Sequence, residues 1–313
     1  MDTSELDVRL SKDGFYVLPG TIQPAACQGI LDKVRRGRRF GPELFLDEAS
    51  FDANPIYKGV NPRPGRNLFD TLHDDVRVVL DDVMLRSCLS HLLGEDYEHI
   101  HHKFVCGIPE HWIPQWLRQR IYGNPVNNLG PYVRPEYRDI TYFYGIDFHQ
   151  DIIDWPDRLA DFVTVYVYLH PVSASDAPLH ILRGSHLFGA TEFPHRLTLQ
   201  RDTQEYRYEA AGGRQCSCEC VKLMGPAGTV AVWHSATLHG TQPDKGDHER
   251  ISLRLLFGKR NPGRQVGIDV VNDAIQGPLS LSRTRRDLSA DGAAVLRANV
   301  INSGLSALSR GES

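Results

Sequence analysis

Six short runs of β-branched and aromatic residues follow one another between residues 99 and 259, and Gly, Pro and Asp separate them. Short runs of this composition, bounded by turn residues, are typical of strands in an all-β domain. In chain order the runs are HIHHKFVCGI, DFVTVYVYLHPV, PLHILRG, CSCECVKL, GTVAVWH and RISLRLLFGK. This pattern predicts that the second half of the chain is a β-sandwich or barrel.

The first 98 or so residues have a different pattern, which predicts helices that support the β-rich core. A short strand is predicted over residues 15–18, followed by a helix that begins near Pro24. A second helix is predicted from about Asp74 to Leu93, because apolar residues recur there at helical spacing and Gly94 supplies a stop signal. We expect a single domain over residues 1–313, with the core at about 99–262 and a helical or coil tail at about 263–313.

An irregular, aromatic segment at residues 109–138 separates the first predicted strand from the rest of the core. Its aromatic residues are Trp112, Trp116, Tyr122, Tyr132 and Tyr137. Loops of this length inside a compact domain are usually functional. The segment is therefore a candidate lid or substrate wall.

Charge and composition exclude several classes of partner. A net charge of -4 and a pI near 6.4 provide no basic field for a phosphate backbone, so we expect a small-molecule partner and no nucleic acid. No apolar run approaches the roughly 18 residues of a membrane span, and the start has no signal-peptide pattern. Six cysteines are too few for a disulfide framework in a chain this long, which agrees with a cytoplasmic location. The oligomeric state stays open.

The stretch YGIDFHQDIIDWP, residues 144–156, places His149 and Asp151 one residue apart. Alternate residues of a strand face the same side, so the two side chains can point at one metal ion. A structural histidine–carboxylate pair is the ordinary alternative for such a triplet alone. His239 at the end of a predicted strand supplies a third ligand. Two histidines and one carboxylate form the facial triad that leaves positions open on non-haem Fe(II) for O₂ and an organic ligand.

A second group of residues fits an oxoacid co-substrate. Arg250 lies eleven positions after His239, and Ser252 is on the same strand face. A guanidinium and a hydroxyl at this spacing can bind one carboxylate together. Arg254 shares that face, and spacing alone favours Arg250. The ordinary alternative is that both arginines form surface ion pairs.

Four segments in the same order resemble the phytanoyl-CoA dioxygenase family of Fe(II)/2-oxoglutarate-dependent oxygenases. They are DGFYVLPGTIQPAAC, FHQD, APLHILRGSHLFG and LHGTQPDKGDHERIS. The resemblance implies a mainly β fold with flanking helices, namely a double-stranded β-helix of the jelly-roll, cupin-like type. It implies iron held by His149, Asp151 and His239, and 2-oxoglutarate held by Arg250 with help from Thr241 or Ser252. The implied reaction uses O₂, converts 2-oxoglutarate to succinate and CO₂, and most often hydroxylates the substrate.

Some positions depart from the family pattern. Ala177 stands where relatives commonly have Gly, and Tyr166 stands at a cavity-lining position where relatives frequently have Trp. Lys103 is the candidate for the upstream residue that helps to hold 2-oxoglutarate. The segment 109–138 is longer than the family leads us to expect, so the substrate class does not carry over. Asp151 is retained, which counts against halogenation.

Other patterns have ordinary explanations. CSCEC places three cysteines on one face of a predicted strand, but a structural zinc site would need a second pair, so exposed thiols are expected. Of His101 and His102, at most one can face the cavity, because neighbouring strand residues point to opposite sides. Asp147 shares the face of His149, and the order of the triplet favours Asp151.

Two hypotheses follow. The first is an oxygenase that hydroxylates a small molecule, for which we expect a setting in specialised metabolism; desaturation, epoxidation or cyclisation would use the same residues. The second is a cupin-like binding or sensing protein without turnover. The complete triad together with Arg250 favours the enzyme.

Overall fold

The computed structural model describes residues 3–53, 68–124 and 126–288. Its helices are α1 (Thr3–Asp13), α2 (Pro24–Arg35), α3 (Glu48–Asp52), α4 (Leu68–Thr71), α5 (His73–Leu80), α6 (Val83–Leu93), α7 (Gln115–Ile121) and α8 (Gly267–Asp273). Its strands are β1 (Phe15–Leu18), β2 (Glu98–Gly107), β3 (Val126–Asn128), β4 (Thr141–His149), β5 (Phe162–Tyr168), β6 (Leu179–Leu182), β7 (Arg196–Leu199), β8 (Tyr206–Glu209), β9 (Gln215–Cys218), β10 (Cys220–Leu223), β11 (Val230–His234), β12 (His239–Thr241) and β13 (Arg250–Gly258).

Ten of these strands form one sheet in the order β1-β11-β5-β13-β2-β4-β12-β6-β10, with β3 beside β4. Side chains from eight of its strands line a single cavity, so the sheet curls around that cavity. Strands β7, β8 and β9 form a separate antiparallel sheet. The predicted mainly β, cupin-like fold with flanking helices is confirmed.

Strand β13 shows how the sheet separates the core from the cavity. Ile251, Leu253 and Leu255 point to the convex side, where they join the largest apolar cluster with residues of α2, α5 and α6. Arg250 and Arg254 point to the concave side and line the cavity. This alternation follows the two-residue period of a strand. Full burial of each aliphatic side chain contributes about 1.5–3 kcal/mol, so the convex face anchors the strand that carries both arginines.

The N-terminal predictions are largely confirmed. The predicted strand is β1, and the helix that begins at Pro24 is α2. The prediction of one helix from Asp74 to Leu93 is wrong, because the chain forms α5 and α6 instead. The break occurs at Asp82, whose carboxylate accepts a hydrogen bond of 2.9 Å from the backbone N–H of Leu85. Aspartate favours such N-cap positions over helix interiors.

Two further predictions need correction. The segment 109–138 is not irregular throughout, since it contains α7 and β3. The CSCEC stretch does not form one strand, since β9 ends at Cys218 and β10 begins at Cys220. Cys218 is buried, and Cys216 and Cys220 are half-buried, so the prediction that these thiols are exposed is also wrong. Helix α8 lies in the predicted tail, whose residues 289–313 fall outside the described residues.

Candidate active site

The two histidines of the predicted triad meet across neighbouring strands. His149 is the last residue of β4, His239 is the first residue of β12, and the two are directly paired in the antiparallel register. Their ring centroids are 4.2 Å apart. The close approach of β12 to β4 requires Gly240, because a Cβ atom there would lie 2.7 Å from the carbonyl oxygen of Ile146. Local backbone packing therefore brings the imidazoles together.

Backbone carbonyls fix the orientation of both rings. The Nδ1 atom of His149 lies 3.0 Å from the carbonyl oxygen of Asp147, and the Nδ1 atom of His239 lies 3.0 Å from that of Thr237. A carbonyl oxygen only accepts, so each Nδ1 carries the proton and donates. Each Nε2 atom then keeps its lone pair. Outer contacts of this kind are typical of metal-binding histidines.

Asp151 completes the group, in a short turn directly after β4. Its Oδ2 atom accepts hydrogen bonds from the hydroxyl of Thr164 at 2.5 Å and from the indole N–H of Trp233 at 2.9 Å. Its Oδ1 atom accepts a hydrogen bond from the guanidinium of Arg254. The Oδ2 atom lies 3.6 Å from the Nε2 atom of His239. The carboxylate is thus held in one orientation beside the imidazoles.

Gln150, between the two ligands in sequence, anchors the turn. Its side-chain amide donates to the carbonyl oxygens of Gly189 and Ala236 at 2.9 and 2.7 Å, and its Oε1 atom accepts from the backbone N–H of Thr191 at 2.9 Å. The side chain is fully buried. Sequence reasoning treated this residue only as part of a motif, because its backbone partners lie far away in the chain.

The charge states suit a metal site. Burial lowers the pKa of His149, and the neighbouring His239 ring lowers it further. Burial also lowers the pKa of His239, although the Asp151 carboxylate opposes this effect. Burial alone would raise the pKa of Asp151, but Arg254 and the two histidines outweigh it and hold that pKa below its usual range. Neutral imidazoles and an ionised carboxylate are the forms that bind a metal.

The donor set fits a divalent metal ion. Ligand atoms of His149, Asp151 and His239 lie within 4.8 Å of one another, and this is the only such cluster of three or more metal-binding side chains within the described parts of the chain. Two imidazoles and one carboxylate on one side of an ion suit non-haem Fe(II). The three cysteines of CSCEC form no comparable cluster among these residues.

Arg250 lies in the same cavity and is 2% exposed. Its Nη1 atom donates to the hydroxyl of Tyr166 at 2.9 Å and lies 3.4 Å from the hydroxyl of Ser252. Its Nε atom is buried and has no hydrogen-bond partner within the described residues. Gly107 makes room for the side chain, since a Cβ atom there would lie 3.3 Å from that Nε atom. A buried guanidinium with an unused donor suits a carboxylate ligand.

The cavity has a volume of about 300 Å³. The structure brings most of the predicted site residues to its wall, namely Lys103, His149, Tyr166, His239, Thr241 and Arg250. Ser252 lies behind Arg250, and Asp151 lies beneath Arg254. Sequence reasoning did not assign Thr164, Trp233 or Arg285 to the site. A signal exists for Thr164, which is two residues before Tyr166 on β5 and therefore faces the same side.

Several secondary predictions have clear outcomes. His101 lines the cavity, whereas His102 stacks on Phe69 with ring centroids 4.0 Å apart, so one of the two adjacent histidines faces the cavity. Asp147 is not in the ligand cluster, and its Oδ1 atom accepts from the backbone N–H of Phe148 at 2.9 Å.

The segment 109–138 contributes to the cavity through β3. Val126 and Asn128 of that strand line the wall. Most aromatic residues of the segment pack against the main apolar cluster instead, namely Trp112, Trp116, Tyr132 and Tyr137. The predicted substrate wall therefore reduces to β3 among the described residues.

The family model for phytanoyl-CoA dioxygenase matches residues 10–252. The chain therefore belongs to the phytanoyl-CoA dioxygenase family, within the class of iron- and 2-oxoglutarate-dependent dioxygenases. This confirms the resemblance that the four sequence segments indicated.

A curated relative is 29% identical over 116 residues, a match that covers 36% of this chain and 38% of the relative. It is a probable alpha-ketoglutarate-dependent hypophosphite dioxygenase of Stutzerimonas stutzeri. Because the match covers well under two thirds of that protein, it carries no activity over to this chain.

Among solved structures, the epimerase SnoN of nogalamycin biosynthesis is similar with a TM-score of 0.52 and 15% identity, covering 82% of each chain. SnoN in complex with Fe3+, alpha ketoglutarate and nogalamycin RO gives the same TM-score over 95% of this chain and 94% of that one. At this identity the likeness supports the fold alone. In the described residues, no helix is long and apolar enough to span a membrane.

Proposed function

We propose that this protein is an Fe(II)- and 2-oxoglutarate-dependent oxygenase that hydroxylates a small molecule and releases succinate and CO₂. The observation that carries the proposal is the convergence of His149, Asp151 and His239 in a cavity that also contains the buried guanidinium of Arg250. A protein that only bound a small molecule would not need a complete ligand set beside a carboxylate anchor.

The three ligands would hold iron through the two Nε2 atoms and one oxygen of Asp151. Iron bound there would supply the activation of O₂. Thr164 and Trp233 would keep the carboxylate in place during turnover, through the two hydrogen bonds to its Oδ2 atom. The backbone carbonyls behind both imidazoles would keep the Nε2 atoms unprotonated.

Arg250 would bind the far carboxylate of 2-oxoglutarate. Tyr166 and Ser252 would position the guanidinium, and Thr241 at the cavity wall would add a hydroxyl contact to the same carboxylate. The low exposure of Arg250 would exclude competing water, which strengthens a charged hydrogen bond.

The substrate is proposed to be small, because the cavity lies at the lower end of the usual range for ligand sites and would also hold 2-oxoglutarate. Specialised metabolism is our expected setting, and SnoN, which shares the fold, comes from nogalamycin biosynthesis. The curated relative is named for hypophosphite, itself a small molecule. Desaturation, epoxidation and cyclisation remain alternative outcomes of the same site, and a binding or sensing role is the alternative without turnover.

Succinate release from 2-oxoglutarate under air tests the proposal, since members of this class turn over slowly even without substrate. We expect Fe(II)-dependent succinate from the wild type and a loss of at least a hundredfold in His149→Ala. His111→Ala is the matched control, because His111 is exposed. Equal succinate release from wild type and His149→Ala would refute the assignment of that ligand. No succinate from folded, iron-loaded wild type would favour the binding role.

A further inference from the structure

The cavity carries more positive charge than iron and 2-oxoglutarate can use. Its wall contains four cationic side chains, Lys103, Arg250, Arg254 and Arg285, against the single carboxylate of Asp154. Buried charges without compensation are costly, so each cation needs an anionic partner when the site is filled.

Two of the four cations already have a protein carboxylate. Arg254 donates to Asp151, and Arg285 forms two hydrogen bonds with Asp287 at 2.8 and 2.7 Å. Arg250 is the proposed partner of the far carboxylate of 2-oxoglutarate. Lys103 remains.

Lys103 has no ion pair among the contacts of the described residues. Its Nζ atom lies 5.6 Å from the centroid of the Phe143 ring, which is a weaker, non-ionic contact. Burial, and next the charge of Arg254, lower the pKa of Lys103 to about 8, and Asp154 only partly opposes this. An anion beside the ammonium would offset the energetic cost of burying the positive charge of Lys103.

The position of the unpaired ammonium suits a substrate held near the metal. Lys103 on β2 and Arg254 on β13 are paired across the two strands, and Arg254 contacts the metal ligand Asp151. Arg250 is four cross-strand pairs further along, opposite Gly107. An anion bound by Lys103 would therefore lie next to Arg254, the residue that contacts the candidate metal ligand Asp151.

His101 supplies a neutral contact next to this position. It lies two residues before Lys103 on the same face of β2, and it lines the cavity. Its Nδ1 atom is buried and has no hydrogen-bond partner in the described residues. Burial, and next Arg254 and Lys103, lower its pKa to about 4, so the ring is neutral near pH 7. It is available to hydrogen-bond an oxygen of the substrate.

We propose that the primary substrate carries an anionic group, such as a carboxylate, sulfonate or phosphonate, which Lys103 binds with Arg254 and His101 beside it. This inference rests on the proposed function, because it assigns Arg250 to 2-oxoglutarate. It replaces the sequence-based expectation that Lys103 helps to hold 2-oxoglutarate.

The test compares methanesulfonate with dimethyl sulfone, which has a similar shape and no charge. Anaerobic protein loaded with Fe(II) and saturating 2-oxoglutarate is titrated with each probe, and broadening of the methyl proton resonance reports binding near the metal. We expect the sulfonate to bind at least tenfold more tightly than the sulfone. Lys103→Met should weaken sulfonate binding at least tenfold, whereas Lys103→Arg, which keeps the positive charge, should retain much of the wild-type affinity for the sulfonate. Lys245→Met is the matched control, because Lys245 is exposed.

The affinity for 2-oxoglutarate, measured separately, should change less than threefold in Lys103→Met. Equal binding of the two probes would overturn the proposal. It would also be overturned if Lys103→Met weakened 2-oxoglutarate binding tenfold and left sulfonate binding unchanged. Failure of the proposed function is recognised independently, as the absence of an iron–2-oxoglutarate complex in the wild type. In that case the sulfonate preference and its dependence on Lys103 are measured on metal-free protein by isothermal titration calorimetry.

Discussion

The hydroxyl of Thr164 donates a hydrogen bond of 2.5 Å to the Oδ2 atom of Asp151. Thr164 lies on β5 and Asp151 follows β4, and these two strands are not neighbours in the sheet. The bond therefore connects the carboxylate of the candidate metal site to a strand that is not a neighbour of β4 in the curled sheet.

Thr164→Val removes this hydrogen bond and keeps the shape of the side chain. We expect the dissociation constant for Fe(II) to rise about tenfold, because contacts behind a metal ligand typically contribute ten- to a hundredfold to affinity. Anaerobic competition with a chelator measures this constant. Thr198→Val, at an exposed strand position, is the control and should bind iron like the wild type. An unchanged affinity in Thr164→Val would show that the hydroxyl does not support a ligand.

Arg250→Lys keeps the positive charge and removes the planar fork. A lysine ammonium cannot make two parallel hydrogen bonds to one carboxylate, so the dissociation constant for 2-oxoglutarate should rise at least tenfold. Iron affinity should stay within threefold, because Arg250 contacts no candidate ligand of the metal in the described structure. Arg260→Lys, at an exposed position, serves as the control. Unchanged 2-oxoglutarate affinity in Arg250→Lys would contradict the proposed anchor.

Gln150→Leu should destabilise the protein. The change leaves the carbonyl oxygens of Gly189 and Ala236 and the N–H of Thr191 without their side-chain partner in a buried position. We expect the free energy of unfolding to fall by about 3 kcal/mol, measured by urea denaturation. Gln119→Leu, at an exposed position of α7, should change it by less than about 0.5 kcal/mol. If Gln150→Leu also lowered the free energy of unfolding by less than about 0.5 kcal/mol, the turn would hold its shape without this side chain.

His170 should make stability depend on pH. Its Nε2 atom accepts from the backbone N–H of Ile251 at 2.9 Å, and its Nδ1 atom lies 3.1 Å from the carbonyl oxygen of Pro171, so the ring is neutral in the fold. Burial is the main cause that lowers the pKa of His170 to about 4, from about 6.5 in an unfolded chain. Between these values the unfolded state binds more protons, so stability falls as the pH falls.

From pH 7 to pH 5 this residue should account for a loss of about 2 kcal/mol. Urea denaturation of wild type and His170→Gln at both pH values isolates its share, since other buried histidines contribute equally to both proteins. The variant should lose less stability than the wild type over this interval. Parallel losses in the two proteins would mean that His170 is not held neutral by the fold.

The sequence predicted the elements whose signals are local. The alternation of apolar and polar residues in β13 and the Pro24 start of α2 were sufficient to place both. The helix break at Asp82 was missed because apolar spacing continues across it, and the cap depends on one hydrogen bond to Leu85. The split of CSCEC at Glu219 depends on which strands pair with β9 and β10, which spacing does not encode.

In the candidate site, too, the residues with a local sequence signal were predicted and those that depend on long-range contacts were not. His149 and Asp151 were found because their spacing on a strand is a local feature. The contacts of Thr164, Trp233 and Arg254 with Asp151 join residues that are distant in the chain, so they become visible only in the folded sheet. Arg254 was considered for the carboxylate anchor, and the structure places it against the carboxylate of Asp151, the candidate metal ligand, instead.

The most direct test of the account is an anaerobic titration of metal-free protein with Fe(II) and then 2-oxoglutarate. The complex of the two in such a site gives a weak visible charge-transfer band. We expect the band in the wild type and its loss in His239→Ala, with both proteins folded by circular dichroism. A folded wild type that shows no band, or a His239→Ala protein that shows the same band, would contradict the central claim.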